Sequence, residues 1–148
     1  MNPVEVFTKK FETYKKIMDE EGEQKAWDTL MEGYPERQKK NMGRLIDDNT
    51  LAAGFSQGIP LYKQIGMDME VHDISNVGMD AVIEVQKLCP AMDLAKKFGF
   101  KKPCRVICEM DVAATEKAFA DQGMKGSILT SKAEGSCVCI FKYEREIK

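Results

Sequence analysis

The segment MDMEVHDISNVGMDAVIEVQKL, from Met67 to Leu88, indicates the fold class because the spacing of apolar residues changes there. Before it, apolar residues recur every three or four positions; within it they alternate with polar ones, as at Met69 and Val71. A period of two is typical of a half-buried β-strand. The central SNVG has turn-forming residues, and the alternation resumes after it through Ala81. The stretch therefore predicts a β-hairpin.

A second hairpin is predicted at the C-terminal end of the chain. The segment MKGSILTSKAEGSCVCIFKYE combines strand-forming residues with a turn near Gly135. We expect the two hairpins, over 67–88 and 124–144, to pair in one antiparallel sheet.

The residues before the first hairpin have helical periodicity. NPVEVFTKKFETYKKIMDEEG places Pro3 at the first position of a helix and ends at Gly22. EQKAWDTLMEG predicts a second helix with Trp27 on its buried side, and PERQKKNMGRLIDD predicts a third. NTLAAGFSQGIPLYKQIG predicts a fourth, interrupted near Pro60.

Two further helices are predicted between the hairpins, a short one in CPAMDLAKKFG and a longer one in PCRVICEMDVAATEKAFADQG. The expected fold class is α+β. A helical N-terminal half packs on a mainly antiparallel sheet of about four strands, built from the two hairpins with two helices between them. We expect a single domain over 1–148, with a helical part in 1–66 and a sheet and cysteine-bearing part in 67–148.

The composition narrows the classes of partner. The 148 residues are 31% charged with a net charge of −2, which gives no broad basic field for nucleic acid. No segment approaches the ~18 apolar residues of a membrane span, and the N-terminus has no apolar signal region. We therefore expect a cytoplasmic protein with a small-molecule substrate or ligand, and we leave a homodimer open. In a reducing compartment the five cysteines are better interpreted as thiols or metal ligands than as disulfides.

Two motifs are weaker than they look. GFSQG, at 54–58, matches the G-x-S-x-G pattern of serine hydrolases, but that motif requires a strand before the serine and a large parallel sheet. His72 is the only histidine and hence the only imidazole base, yet it lies on the polar side of its predicted strand. A surface position is the more ordinary interpretation of His72.

The cysteines carry more chemistry. Cys89 precedes Pro90 and falls at or near a helix N-cap, where backbone N–H groups and the helix dipole favour a thiolate. Cys104 and Cys108 are four residues apart, hence on one helix face, with Asp111 nearby on that face. A thiol beside a carboxylate can act as a nucleophile with a proton-handling partner.

The last strand adds two more thiols. Cys137 and Cys139 alternate with Val138 in EGSCVCIFKYE, so both point to the strand face that also carries Phe141 and Tyr143. They are roughly 7 Å apart, too far for a relaxed disulfide and close enough to line one pocket. The alternative for each cysteine taken singly is plain burial, because free cysteine is often a small core residue.

A metal site is another interpretation of the same residues. The pairs C-x-x-x-C and C-x-C supply four thiols, enough for tetrahedral zinc or an iron–sulfur cluster. Neither pair has zinc-knuckle spacing. The cofactor is left open.

The segment KLCPAMDLAKKFGFKKPCRVICEMD, followed by GSCVCIFKYE, resembles the L-2-amino-thiazoline-4-carboxylic acid hydrolase-like family. The family pattern is C-P-x-x-D, then C-x-x-D, then a terminal strand with G-x-x-C-x-F. Here it maps to Cys89 with Asp93, to Cys108 with Asp111, and to Cys139, with one extra residue between Gly135 and Cys139.

The resemblance implies hydrolytic opening of a cyclic amidine or thiazoline in a cysteine-lined pocket. Cys108 or Cys89 is then the candidate nucleophile, Asp111 the acid/base and Cys139 a pocket thiol, and the three sulfurs are expected to lie near a common ligand. The family also resembles vinyl-4-reductase-type domains, which implies the alternative of a non-catalytic sensor that binds a small molecule or a metal. Fold-level kinship does not choose between the two.

Overall fold

A computed structural model describes residues 3–64, 66–88, 91–100, 106–131 and 139–147, and within these ranges the chain forms seven α-helices and four β-strands. In chain order they are α1 Pro3–Glu21, α2 Glu23–Met31, α3 Tyr34–Asp47, α4 Leu51–Ser56, α5 Ile59–Gln64, β1 Asp68–Asp73, β2 Met79–Leu88, α6 Ala91–Lys97, α7 Cys108–Ala118, β3 Lys125–Thr130 and β4 Cys139–Glu146.

The sheet confirms the predicted α+β class. The strand order is β1-β2-β4-β3, and every neighbouring pair is antiparallel. The strand pairs β1–β2 and β3–β4 therefore form one sheet, in which β2 pairs with β4. Helices α6 and α7 lie between the two pairs in the chain. The predicted turn of the second hairpin, near Gly135, lies outside the described residues.

The fourth predicted helix is interrupted near Pro60, as expected. It forms two short helices with the break at Gln57 and Gly58, and Pro60 is the second residue of α5. Proline is tolerated in the first turn of a helix because its missing N–H has no partner there. The longer helix begins at Cys108, because Val106 and Ile107 form a turn, and residues 101–105 lie outside the described ranges.

The face of β2 that the helices cover is more polar than the sequence suggests. Asp80, Val82, Glu84 and Gln86 are buried on it, whereas Ile83, on the opposite face, is only half-buried. The apolar alternation through Ala81, Ile83 and Val85 therefore marks the outer face of the strand. Of the three buried polar side chains, Asp80 forms an ion pair with Arg145, and Glu84 and Gln86 line a cavity; both features are described below.

The covering layer consists of α4 and α5 on the β1–β2 side and α7 on the β3 side. Helix α3 packs on α7, and α1 packs on α2 and α6. The N-terminal helices thus share the cover with α7, which comes from between the hairpins. Trp27, on α2, is partly buried and packs against the core, on the expected side. Within the described ranges, no helix combines the length and apolarity that crossing a membrane requires.

A charged clasp ties the sheet to the helical layer. Arg145 on β4 donates from Nε to Asp80 Oδ2 at 3.0 Å, and its two other nitrogens donate to the carbonyl oxygens of Ile46 and Asn49 at 2.9 and 2.7 Å. Asp80 also accepts from the backbone N–H of Leu51 at the start of α4. One ion pair therefore fixes how α3 and α4 lie on the sheet.

Candidate functional site

A cavity of about 230 Å³ lies between the helical layer and the middle of the sheet. Its walls come from α1, α3, α5 and α7 above and from β1, β2 and β4 below. The lining residues are Phe7, Lys10, Tyr34, Tyr62, Met67, Met69, Glu84, Gln86, Ile107, Cys108, Asp111, Val112, Phe141 and Tyr143. The wall is mostly aromatic and aliphatic with a few polar groups, the composition of small-molecule sites.

Two of the predicted site residues line this cavity. Cys108 is the first residue of α7 and is buried, and Asp111 follows one turn later on the same face. Cys139 is buried on the inner face of β4, where its register partner is the cavity residue Gln86. Cys139 is therefore adjacent to a residue that lines the cavity but does not itself line it.

The remaining predicted residues lie elsewhere. Cys89, Cys104 and Cys137 are outside the described residues, so the expected meeting of Cys89, Cys108 and Cys139 stays a prediction. Asp93, the carboxylate of the first family motif, is exposed in the first turn of α6.

Asp111 is the centre of a hydrogen-bond network between α3 and α7. Its Oδ1 accepts from the Tyr34 hydroxyl at 2.9 Å and from Gln38 Nε2 at 3.1 Å. Gln38 also contacts the Thr115 hydroxyl, which donates to the Asp111 carbonyl oxygen at 2.9 Å. Burial raises the pKa of the Asp111 carboxyl, while the Tyr34 hydrogen bond and the nearby Lys10 charge oppose that shift.

Lys10, on α1, is the basic side chain among the residues that line the cavity. Its Nζ lies 4.6 Å from the centre of the Tyr34 ring, close enough for a cation–π contact. Burial lowers the pKa of Lys10 to about 8, although the charge of Asp111 acts in the opposite direction. Lys10 and Asp111 therefore lie together on the helical side of the cavity, where a charge on either one favours the opposite charge on the other.

Glu84 and Gln86 line the opposite wall, on β2. They are 5% and 1% exposed, and Glu84 Oε2 and Gln86 Nε2 have no hydrogen-bond partner within the described part of the chain. Burial, with the charge of Asp111 second, raises the pKa of Glu84 to about 8. Most buried polar groups in proteins are paired, so two unpaired ones in one cavity wall require an explanation.

Two further tyrosines line the cavity, Tyr62 on α5 and Tyr143 on β4. Burial raises the pKa of Tyr62 well above its usual value, with the charge of Glu84 adding to the effect. Burial and the charge of Asp111 do the same for Tyr143. Both therefore stay neutral phenols that can donate or accept a hydrogen bond.

The two weaker motifs have ordinary structural roles. His72 is exposed on the outer face of β1, where its Nε2 lies 3.3 Å from Glu70 Oε2. Ser56 donates to the carbonyl oxygen of Ala52 within α4. Gly54 is the close contact between α3 and α4, since a Cβ there would overlap the carbonyl oxygen of Leu45.

The described residues contain no group of three or more histidine, cysteine, aspartate or glutamate side chains arranged to hold a metal ion. Of the four thiols in the predicted zinc or iron–sulfur site, only Cys108 and Cys139 fall within those residues. The metal interpretation therefore stays a prediction.

Sequence reasoning missed most of the cavity wall. Lys10 and Tyr34 belong to helices that the pattern presents as ordinary amphipathic segments. Glu84 and Gln86 left a detectable trace in the sequence, because together with Asp80 they make the strand face that carries Val82 mostly polar. Antiparallel strands usually carry apolar residues on the face that packs against the core, so a polar face covered by helices is unusual.

No family model matches the chain, and no curated protein matches it. Among solved structures, the fold is similar to the crystal structure of the phenol-responsive sensory domain of the transcription activator PoxR with phenol. The two chains are 10% identical with a TM-score of 0.65, and the match covers 94% of this chain and 74% of that one. At this identity the similarity concerns the fold alone, and the resemblance to the hydrolase-like family stays a prediction.

Proposed function

We propose that this protein is a small-molecule-binding domain whose ligand occupies the cavity between α7 and the sheet, and that it senses this ligand without transforming it. The observation that carries the proposal is the cavity itself, which is amphipathic and is lined by seven of the eleven helices and strands in the described part of the chain. An engineered apolar cavity of about 150 Å³ holds benzene. A cavity of about 230 Å³ therefore accommodates a molecule of one ring with substituents.

The fold supports the same function. The PoxR domain, with a similar arrangement of elements, is a phenol-responsive sensory domain. Because one fold hosts many functions, this neighbour supports a small-molecule sensor by analogy, and the cavity residues supply the specific support.

The proposal is tested by screening a library of fluorinated single-ring fragments against the protein by ¹⁹F NMR. Met67→Trp places a large side chain in the cavity, and Met42→Trp makes the same change at a half-buried site on α3 that does not line it. We expect fragments that bind wild type and Met42→Trp and not Met67→Trp. Binders that ignore both substitutions, or no binders at all, would contradict the proposal.

Protection of Cys108 from alkylation gives a second readout that requires no variant. A ligand in the cavity covers Cys108, so iodoacetamide should modify it more slowly when a fragment is bound. Cys139 serves as an internal reference, because it is buried beside the cavity and does not line it. Equal slowing at both thiols would indicate general stabilisation instead of occupancy.

A hydrolase is the second candidate, because Cys108 and Asp111 line one cavity with Lys10. In such an enzyme a neutral Lys10 would take the proton of Cys108, and the Cys108 sulfur would add to the carbon between nitrogen and sulfur of a thiazoline. A protonated Asp111 would give its proton to the ring sulfur as the bond between that sulfur and the carbon breaks. Water would then add to the same carbon and displace the Cys108 sulfur, which takes back a proton.

The two candidates are separated by incubating the protein with L-2-amino-thiazoline-4-carboxylate and following ring opening. Turnover that is lost in both Cys108→Ser and Asp111→Asn, with folding retained, would establish the enzyme. We expect no turnover, and fragment binding that is retained in Cys108→Ser.

A further inference from the structure

The sheet side of the cavity presents two unused hydrogen-bonding groups. Glu84 and Gln86 are two residues apart on one face of β2, so their Cα atoms are roughly 7 Å apart along the strand. Both side chains are more than nine-tenths buried and both line the cavity. Glu84 Oε2 and Gln86 Nε2 are without a partner in the described ranges.

The register partners of Glu84 and Gln86 on the neighbouring strands are mostly apolar and supply few side-chain hydrogen-bond partners. The register partners of Glu84 are Val71 on β1 and Phe141 on β4, and Gln86 lies between Met69 and Cys139. The polar pair is therefore framed largely by apolar side chains, and its free direction is into the cavity.

The ionisable side chains Lys10 and Asp111 lie on the helical side of the cavity, opposite Glu84 and Gln86. Lys10 lies near Asp111 and over the Tyr34 ring, on the helical wall. Burial is the main cause that disfavours a negative charge on Glu84, and the Asp111 carboxyl adds to it. Around neutral pH Glu84 therefore holds its proton, and the wall formed by Glu84 and Gln86 is uncharged.

We propose that the ligand is a neutral molecule of single-ring size that carries a hydrogen-bond acceptor beside a donor, as a carboxamide or lactam does. The acceptor takes the N–H of Gln86, and the donor is directed at Glu84 Oε2. The ring lies against the apolar residues of the wall, among them Phe7, Met69 and Phe141. This inference rests on the proposed function and names the ligand class for the same cavity.

A matched set of probes tests the ligand class. Benzamide, benzamidinium, benzoate and toluene share one ring and differ in charge and hydrogen bonding. Isothermal titration and ligand-observed NMR at pH 7 should rank benzamide at least tenfold above each of the others. Benzamidinium as the tightest binder would mean an ionised Glu84 and a cationic ligand. Toluene equal to benzamide would mean that the polar pair is not used. Either result overturns the inference and leaves the proposed function standing.

Variants at the pair connect the ranking to these side chains. Gln86→Leu and Glu84→Leu should lower benzamide affinity at least tenfold, to that of toluene. Glu84→Gln, which keeps an acceptor oxygen and no charge, should bind benzamide within about threefold of wild type. Unchanged affinity in the leucine variants would contradict the inference.

The fragment screen separates the two levels of failure. If none of the four probes binds but fragments lacking an adjacent acceptor and donor occupy the cavity, the ligand class is wrong and the proposed function holds. If no fragment is excluded by Met67→Trp either, the proposed function fails as well.

Discussion

Gln86 combines near-complete burial with an amide nitrogen that has no partner within the described residues. A buried polar group without a hydrogen bond costs about 1–3 kcal/mol of stability. Such a cost is typical of sites where binding requires a group that folding does not use. At the scale of single residues, the cavity is therefore a place where stability and binding conflict.

This conflict predicts that Gln86→Leu makes the ligand-free protein more stable, by about 1 kcal/mol, because an apolar side chain of similar size removes the unpaired amide. Urea unfolding measures the change. Gln38→Leu is the matched control, since Gln38 donates to Asp111 and Thr115 and its loss should be destabilising. A destabilised Gln86→Leu would mean that the amide is satisfied in solution.

A second prediction at this scale concerns pH. Folding raises the pKa of Glu84 from 4.5 to about 8, so the folded state retains this proton over a range where the unfolded state loses it. The resulting stability is complete below pH 4.5 and is lost as the pH rises through about 8, with a slope of up to about 1.4 kcal/mol per pH unit.

Glu84→Gln removes this titration. Relative to wild type, the variant should gain stability between pH 4.5 and 8, measured by urea unfolding at several pH values. Burial also lowers the pKa of Lys10 to about 8. The pH dependence of stability that Lys10 causes above pH 8 is therefore expected in both the variant and the wild type. A constant difference between the two proteins across pH 4.5–8 would contradict the raised pKa.

At the scale of helices and strands, apolar spacing was sufficient to predict the order and type of the elements. It was insufficient to predict which face of β2 the helices cover, because the outer face carries the apolar Ile83 and Val85 and the inner face carries only Val82 among polar residues. The inner positions are occupied by a clasp residue, Asp80, and by the cavity pair. A local pattern cannot anticipate contacts with partners as distant in sequence as Arg145.

The same limit applies to the site. Cys108 and Asp111 were predicted together because they lie on one face of one helix, which is a local relation. Lys10, Tyr34 and Glu84 meet them only through the packing of α1, α3 and β2, which spacing along the chain does not specify. Sequence reasoning therefore supplied the α7 side of the cavity and missed the walls opposite it.

The clasp gives a prediction about elements. Arg145→Met should destabilise the fold by about 3–5 kcal/mol, because it leaves the mostly buried Asp80 carboxylate without its partner. Lys142→Met is the control, since its ion pair with Glu144 is more exposed and worth less than about 1 kcal/mol. Equal effects in a thermal or urea unfolding experiment would show that the clasp does not fix α3 and α4 on the sheet.

Gly54 tests the packing of α3 against α4. Gly54→Ala introduces a methyl group that overlaps the backbone of Leu45, and it should cost more than about 1 kcal/mol despite alanine's better helix propensity. Gly43→Ala, in α3, meets open space and should stabilise the protein by about 0.5–1 kcal/mol. Stabilisation by both substitutions would contradict the close approach of the two helices.

At the scale of the whole molecule, the cavity lies where the elements converge, so a ligand there contacts both the helical layer and the sheet. A ligand at 100 times its dissociation constant adds about 2.7 kcal/mol to the stability of the folded state. In the proposed sensor, ligand binding would tighten the contact between the helical layer and the sheet, and this change would convert occupancy into a signal.

Methionine methyl NMR shows whether a ligand binds in the cavity between the helical layer and the sheet. Of the ten methionines in the chain, Met67 and Met69 line the cavity, whereas Met42 and Met92 are half-buried elsewhere. An aromatic ring in the cavity shifts the methyl resonances next to it. On titration with benzamide we predict saturable shifts at Met67 and Met69 and unchanged resonances at Met42 and Met92. Saturable shifts that leave Met67 and Met69 unmoved would place the ligand elsewhere and contradict a binding site in this cavity.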